Sequence, residues 1–253
     1  MWQELDRLHR EVELVKSGAP TDRRLTARWM DERQPAGTRT YIHATQLLHV
    51  GYDNLRALQA LFTQGAGVWA PWNLVRAILE SAAWAAWLLE PHQGRERRVR
   101  GLRIAVQDHR DWQAFFKEFD GASTEQQRQR RAQQVATTEA TYRAEADALA
   151  ERWSKLRERL NLTDMLPSLA AVLDLDGVSP AVVVGMWRGL SGMAHGRSYA
   201  VMAYSDSTTL VPVPGGQTVH LTINDNRFEA HALLACWFLW SASNLYLRRS
   251  SQP

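Results

Sequence analysis

A chain of 253 residues with 45% hydrophobic and 23% charged side chains has the balance of a globular protein and the length for one sizeable core, which excludes wholesale disorder and fibrous repeats. Its formal charge is only +3, yet 27 of its 30 basic residues are arginines. That bias lifts the isoelectric point to about 9.2 and supplies planar guanidinium forks that suit phosphate and carboxylate, unless it reflects composition alone.

The opening MWQELDRLHREVELVK is charged throughout and lacks the apolar run of a secretory leader. Trp2, Leu5, Leu8, Val12 and Val15 recur at helical spacing and predict an amphipathic helix that stops at Ser17, Gly18 and Pro20. After a polar linker ending at Pro35 and Gly37, a long helix is predicted from about Thr38 to Thr63, followed by a glycine link at 65–67. The next helix begins near Trp69 and ends at Pro91, and its nearly continuous apolar face implies that other elements surround it. A basic helix follows from Arg95 to Phe119.

Ser123 and Gln126 resemble a capping box, and Tyr142, Ala146, Leu149, Trp153, Leu156 and Leu160 alternate in steps of four and three, a narrow coiled-coil seam. If continuous, residues 123–160 form a helix about 55 Å long, which predicts a projecting arm or pairing with a partner. A short helix from Thr163 to about Leu173 leads through Asp176 to Ser179 and Pro180, which start the helix carrying WRGLSGMAHGRSYA, residues 187–200. VPVPGGQTVHLTI then switches to period two and predicts a hairpin over about 208–223, before a final helix from about Asp225 to Arg248.

The expected architecture is mostly α. It is one domain over 1–253, a helical bundle with a small β-hairpin before the last helix, divided into 1–37 (helix and linker), 38–122 (core helices), 123–160 (helical arm) and 161–253 (core helices with the hairpin). Residues 68–89 and 230–247 are apolar, but Asn73, Arg76, Glu80, His231 and Asn244 interrupt them, so they read as bundle helices and no membrane partner is expected. The lone Cys236 excludes an intrachain disulfide and a cysteine-based zinc cluster, which makes a reducing cytoplasm the expected compartment. No P-loop, GxGxxG, GxSxG or HExxH occurs, nor a pair of Glu-x-x-His motifs. Neither cofactor nor metal is expected.

Four groups of residues remain as candidate chemistry. Asn73, Arg76 and Glu80 line one stripe of an apolar helix, either as a buried ion pair that fixes register or as an anion-binding pair. His49, one residue off an apolar stripe with Asp53 a turn later, is either a boundary histidine or one poised for acid–base work. Arg97, Arg100, Arg103 and Arg110 form a stripe that either tracks a phosphate backbone or is solvated. In WRGLSGMAHGRSYA, Arg188 and His195 lie seven apart, about 20° in azimuth and about 10 Å along a helix. Gly189, Gly192 and Gly196 thin the surrounding surface, and Ser191 and Ser198 add hydroxyls. A close helix crossing explains the glycines; a bound phosphodiester explains the ionisable pair.

Arg188, six intervening residues and His195 in a late helix resemble the Arg-x(4 to 6)-His motif of the HEPN superfamily. The segment around Arg76 and Glu80, followed by SGMAHG, also resembles bacterial helical proteins of unknown function. The HEPN resemblance implies paired protomers that cleave RNA without metal, with Arg188 stabilising phosphate and His195 as acid or base, in a toxin or phage-defence setting. Gly189 departs from that pattern, where a polar residue is common. Three functions are therefore carried forward: a metal-independent ribonuclease acting on RNA as a homodimer; a non-catalytic ligand-binding or regulatory bundle holding a small anionic ligand near Arg76, Glu80, His49, Asn73 and Ser191; and a structural protein that assembles through its arm.

Overall fold

The computed structural model of the chain describes residues 2–16, 25–65, 67–173 and 177–251. In chain order the helices are α1 (Trp2–Lys16), α2 (Ala27–Glu32), α3 (Gly37–Gln64), α4 (Ala70–Leu89), α5 (Gly94–Lys117), a 3-10 turn (Asp120–Ala122), α6 (Glu125–Ala148), α7 (Trp153–Leu156), α8 (Leu162–Val172), α9 (Pro180–Ala194) and α10 (Ser198–Tyr204). Strands β1 (Ser205–Val213) and β2 (Gly216–Ile223) follow, then α11 (Asp225–Ser251). The mostly α bundle with a hairpin before its last helix is as the periodicity predicts. The expected break at Ser17, Gly18 and Pro20 and the turn at Asp176 lie outside the described residues.

Helix α4 is the axis of the bundle. Its Ala, Leu, Ile and Trp side chains are covered by α3 along one side and α11 along another, with α8 and α9 against the remaining flank. This cover on several flanks is what an almost wholly apolar helix requires, and it leaves the polar Asn73–Glu80 stripe at its edge. No helix among the described residues is long and apolar enough to cross a membrane. Helix α1 lies on α11 through Leu5, Leu8 and Val12, all buried.

The linker before residue 38 holds a helix that periodicity did not reveal, the six-residue α2, capped by Thr26, whose hydroxyl accepts from the Trp29 amide. Six residues are too few to show a helical period. Their anchor is instead Asp31, buried beneath α3 and α5.

The arm differs from the expected single helix. Helix α6 stops at Ala148. Ala150 takes a left-handed φ of +49°, its amide donates to the Asp147 carbonyl, and the Glu151 amide donates to the Ala146 carbonyl at 2.9 Å. This is the double bond of a Schellman ending with alanine where glycine is usual. Arg95 holds the turn by donating to the Leu149 and Ala150 carbonyls. Tyr142, Ala146, Leu149 and Leu156 form a second core with Val99, Leu102 and Val106 of α5, so the seam is satisfied within the chain. Leu160 instead joins the main core. What extends outward is a helical hairpin made from the end of α5 and the start of α6, where no residue from 107 to 141 is buried. Its capping box is Thr124 with Gln127, one residue later than expected. The Ser123 hydroxyl is taken by the Phe119 carbonyl.

The stretch 187–200 is not one helix either. Helix α9 ends at Ala194, with His195 as its C-cap and Gly196 left-handed at φ +60°. Arg197 donates to the Gly192 carbonyl and Gly196 to Met193, a second Schellman ending. Helix α10 then folds back onto α9. A Cβ on Gly189 would stand 2.1 Å from the Tyr204 Oη, and one on Gly192 would stand 2.7 Å from both Ala200 Cβ and Tyr199 Oη. The first two glycines therefore admit α10, and the third turns the chain. The hairpin β1–β2 is antiparallel, pairs Val213 with Gly216 across Pro214 and Gly215, and carries an irregularity between Thr209 and Val211.

Candidate functional site

Helix α3 presents His43, Gln46, Leu47 and Val50 on one face, at spacings of three, one and three. Helix α4 presents Glu80 and Trp84 at i, i+4, and α5 presents Ile104, Gln107 and Asp108. These spacings place each set on one side of its helix, and the fold turns the three sides toward one another. The segment 159–162, Asp164 of α8 and Trp187 of α9 complete the walls of a cleft of about 810 Å³, within the usual range for small-molecule sites. Gln107 positions one wall, its side-chain oxygen accepting from the Leu160 amide at 2.8 Å.

The electrostatics of the cleft follow from partial burial. The His43 Nδ1 lies 3.7 Å from an Asp108 carboxylate oxygen. Burial, with Arg39 nearby, holds the His43 imidazole below its ordinary range. Although much of the Asp108 side chain still meets solvent, burial and the neighbouring Asp111 push its carboxyl up to about 6. Both shifts disfavour the charged forms, and neither group has a close partner to offset them.

Of the residues singled out by sequence, Glu80 lines the cleft. Arg76 and Glu80 form an ion pair at 3.5 Å with side chains 25% and 38% exposed, so they are neither buried nor hydrogen-bonded as a buried register pair would be. The α4 stripe lies at the rim of the covered surface, and Asn73 is exposed. Arg188 and His195 are both exposed on α9 and its cap, and Ser191 is half-buried. His49 does not take Asp53 as its carboxylate. Its Nε2 pairs with Glu13 of α1, because α1 lies across that face of α3. These residues border a shallower recess with His9, Tyr52, Asp53 and Arg56. There the His9 ring stacks on Tyr52 at 4.3 Å, and Arg56 donates to its Nδ1.

Most of the arginine stripe of α5 is engaged within the protein, although Arg110 is exposed and the Nε of half-buried Arg103 has no hydrogen-bond partner among the described residues. Arg97 is buried against Asp31 and the Pro91 and His92 carbonyls. Arg100 donates to the Trp87 carbonyl and pairs with Glu90 and Glu96. Arg110 donates to the Arg157 carbonyl. Together with Arg95 and with Arg249, which holds the Leu89, Glu90 and Pro91 carbonyls, these guanidinium groups close helix ends, where carbonyls lack intrahelical partners.

The residues that sequence reasoning passed over are His43, Asp108, Trp84 and Trp187. Their only local signal is the i, i+3/i+4 spacing with neighbouring polar groups on the same helix face. No protein-family profile matches this chain, no curated protein matches it, and no solved structure matches it.

Proposed function

We propose that the protein is a ligand-binding helical bundle that holds a small organic molecule in the cleft walled by α3, α4, α5, α8 and α9. One observation carries this reading: side chains of His43, Glu80, Gln107, Asp108 and Asp164, from four separate helices, converge with the indoles of Trp84 and Trp187 on a cleft of about 810 Å³. Apolar walls with a few oriented polar groups are the general form of such sites. A molecule that binds only the folded state at a hundred times its Kd adds about 2.7 kcal/mol of stability. Thermal unfolding in the presence of a panel of small organic molecules is therefore expected to yield stabilisers. Their effect should vanish in Gln46→Trp, which places an indole at the exposed rim of the cleft. No stabiliser at all, or shifts that persist in Gln46→Trp, would overturn the reading.

A second reading keeps the ribonuclease in view, and what favours it is exposure: Arg188 and His195 both face solvent on one helix and its cap. An imidazole carries protons at neutral pH and a guanidinium stabilises phosphate. On this reading RNA is cleaved by the wild-type protein in EDTA, and His195→Ala abolishes cleavage. Intact RNA across single-stranded and structured substrates would sink it.

A further inference from the structure

We propose that the occupant of the cleft is an organic cation, an amine, amidinium or quaternary ammonium compound of small-molecule size, held between the Trp84 and Trp187 indoles and the carboxylates of Glu80, Asp108 and Asp164. The inference rests on the ligand-binding reading above and assigns its chemical class.

The cavity itself supplies the first observation. Two indoles, from α4 and α9, line it together with the three carboxylates. An indole face is the best aromatic partner for a cation, and the attraction grows as the site is desolvated.

Charge pairing supplies the second, independent one. Several carboxylates of this arginine-rich chain are gripped at hydrogen-bonding distance: Asp31 by Arg97 at 2.7 Å, Glu145 by Arg39 at 2.9 Å, Asp120 by Arg131 at 2.7 Å. The cleft carboxylates are not gripped in this way. Glu80 meets only Arg76 at 3.5 Å, Asp108 only His43 at 3.7 Å, and Asp164 has no ion pair among the described residues. None of the three side chains accepts a hydrogen bond from another described group. They come from α4, α5 and α8, so the fold gathers them from distant parts of the chain and leaves them unneutralised. Among the described residues Arg159 is the one guanidinium that lines the cleft, so an anion would meet more repulsion than attraction. This charge balance favours a cation in this cleft, whereas the small anionic ligand is expected from sequence near Arg76, Glu80 and His49.

Protonation gives the site a sign. Asp108 faces His43 from α3, Glu80 from α4 and Arg159 from the segment before α8, and Asp111 follows one turn later on its own helix. Burial and Asp111 push its carboxyl up to about 6, so a cation that prefers the ionised form binds more weakly as the pH falls through that range. Protonation of His43 at lower pH adds repulsion of the same sign.

The test uses probes of one shape and three charges: benzamidine, benzamide and benzoate, with choline and 3,3-dimethylbutanol as a second matched pair, titrated calorimetrically at pH 7.5 and 5.5. At least one cation is expected to bind about tenfold more tightly than its neutral isostere, a difference within the range of a desolvated cation–π contact with charge pairing. Glu80→Gln and Asp164→Asn should each weaken it several-fold, as should pH 5.5. Circular dichroism of the variants separates lost affinity from lost fold. Benzamide or benzoate binding as tightly as benzamidine, with the binding lost in Gln46→Trp, overturns the cation assignment and leaves the ligand-binding reading standing. No binding by either cation overturns the assignment as well, and the broader stabiliser panel then decides whether the ligand-binding reading falls with it.

Discussion

Arg97→Ala is expected to destabilise the protein by about 3–5 kcal/mol, the usual cost of breaking a buried ion pair by removing one partner. The Arg97 and Asp31 side chains are 3% and 5% exposed. The guanidinium Nε donates to one Asp31 oxygen at 2.8 Å, Nη2 lies 2.7 Å from the same oxygen, and Nη1 donates to the Pro91 and His92 carbonyls. Tyr41 donates its hydroxyl to the same carboxylate oxygen, and burial with the adjacent charge raises its phenol. Removing Arg97 therefore strands a carboxylate and two carbonyls together in the interior. Asp31→Ala strands the guanidinium in the same way, whereas the double variant leaves neither charge. Urea unfolding of the two single variants and the double is expected to give a double-variant loss smaller than the sum of the singles by more than about 1 kcal/mol. Additive losses would mean that the two side chains do not share an interaction. Tyr41→Phe keeps the ion pair and should cost only about 1 kcal/mol, one hydrogen bond.

This pair is also where the sequence misleads most. Arg76 and Glu80 stand out because they interrupt the most apolar helix in the chain, yet a stripe on α4 tells only azimuth, and that azimuth lies at the edge of the covered surface. Asp31 and Arg97 sit in segments that read as a polar linker and a basic helix, 66 residues apart. Their signal is in the glycines beside them. A Cβ on Gly94 would stand 2.2 Å from the Asp31 Oδ1, and one on Gly37 would stand 1.8 Å from the Asp31 carbonyl oxygen. Both glycines stand at the first position of their helices, where an alanine would cost less conformational entropy. They are there because the backbone has to come this close to Asp31.

The helices with long apolar periods, α3, α4, α5 and α11, were legible because burial on one side imposes a 3.6-residue period over many turns. The break in the arm was not. Nothing local marks Ala150 as left-handed, and the turn is held by Arg95 from another helix. The break after His195 did have a signal, since Gly196 stands where a Schellman ending wants it. That signal was obscured by two other glycines with a different purpose. The cleft shows the same division. The helical spacing of His43 with Leu47, Glu80 with Trp84, and Ile104 with Asp108 is readable in each helix separately. That these three faces meet follows from how α4 is enclosed, which no local pattern encodes.

Trp72→Ala should be the most damaging single core substitution, at about 3–5 kcal/mol for an indole deleted from a closed interior. Trp72 is 0% exposed and meets the rings of Tyr204, Phe228 and His231 edge-on, with centroids 5.2, 5.1 and 5.4 Å away. Such contacts are worth about 0.5–1.5 kcal/mol each beyond area alone. They join α4 to α10 and α11 at one point. Two features distinguish size from hydrogen bonding here. The Trp72 Nε1 is buried with no partner among the described residues, so Trp72→Phe gives up no hydrogen bond and should cost clearly less than Trp72→Ala. His231, whose Nδ1 donates to the Arg227 carbonyl and whose charged form burial disfavours, can lean into the vacated space without gaining charge. The consequence should reach beyond global stability. Tyr204 fills the hollow over Gly189, so an unsupported Tyr204 frees the corner where α9 meets α10 and where Arg188 and His195 sit. Amide exchange in Trp72→Ala should therefore accelerate over residues 189–204 more than in α3 or the first half of α11, because local opening then costs less than global unfolding. Uniform acceleration along the chain would show that Trp72 acts only on overall stability and does not hold this corner in place.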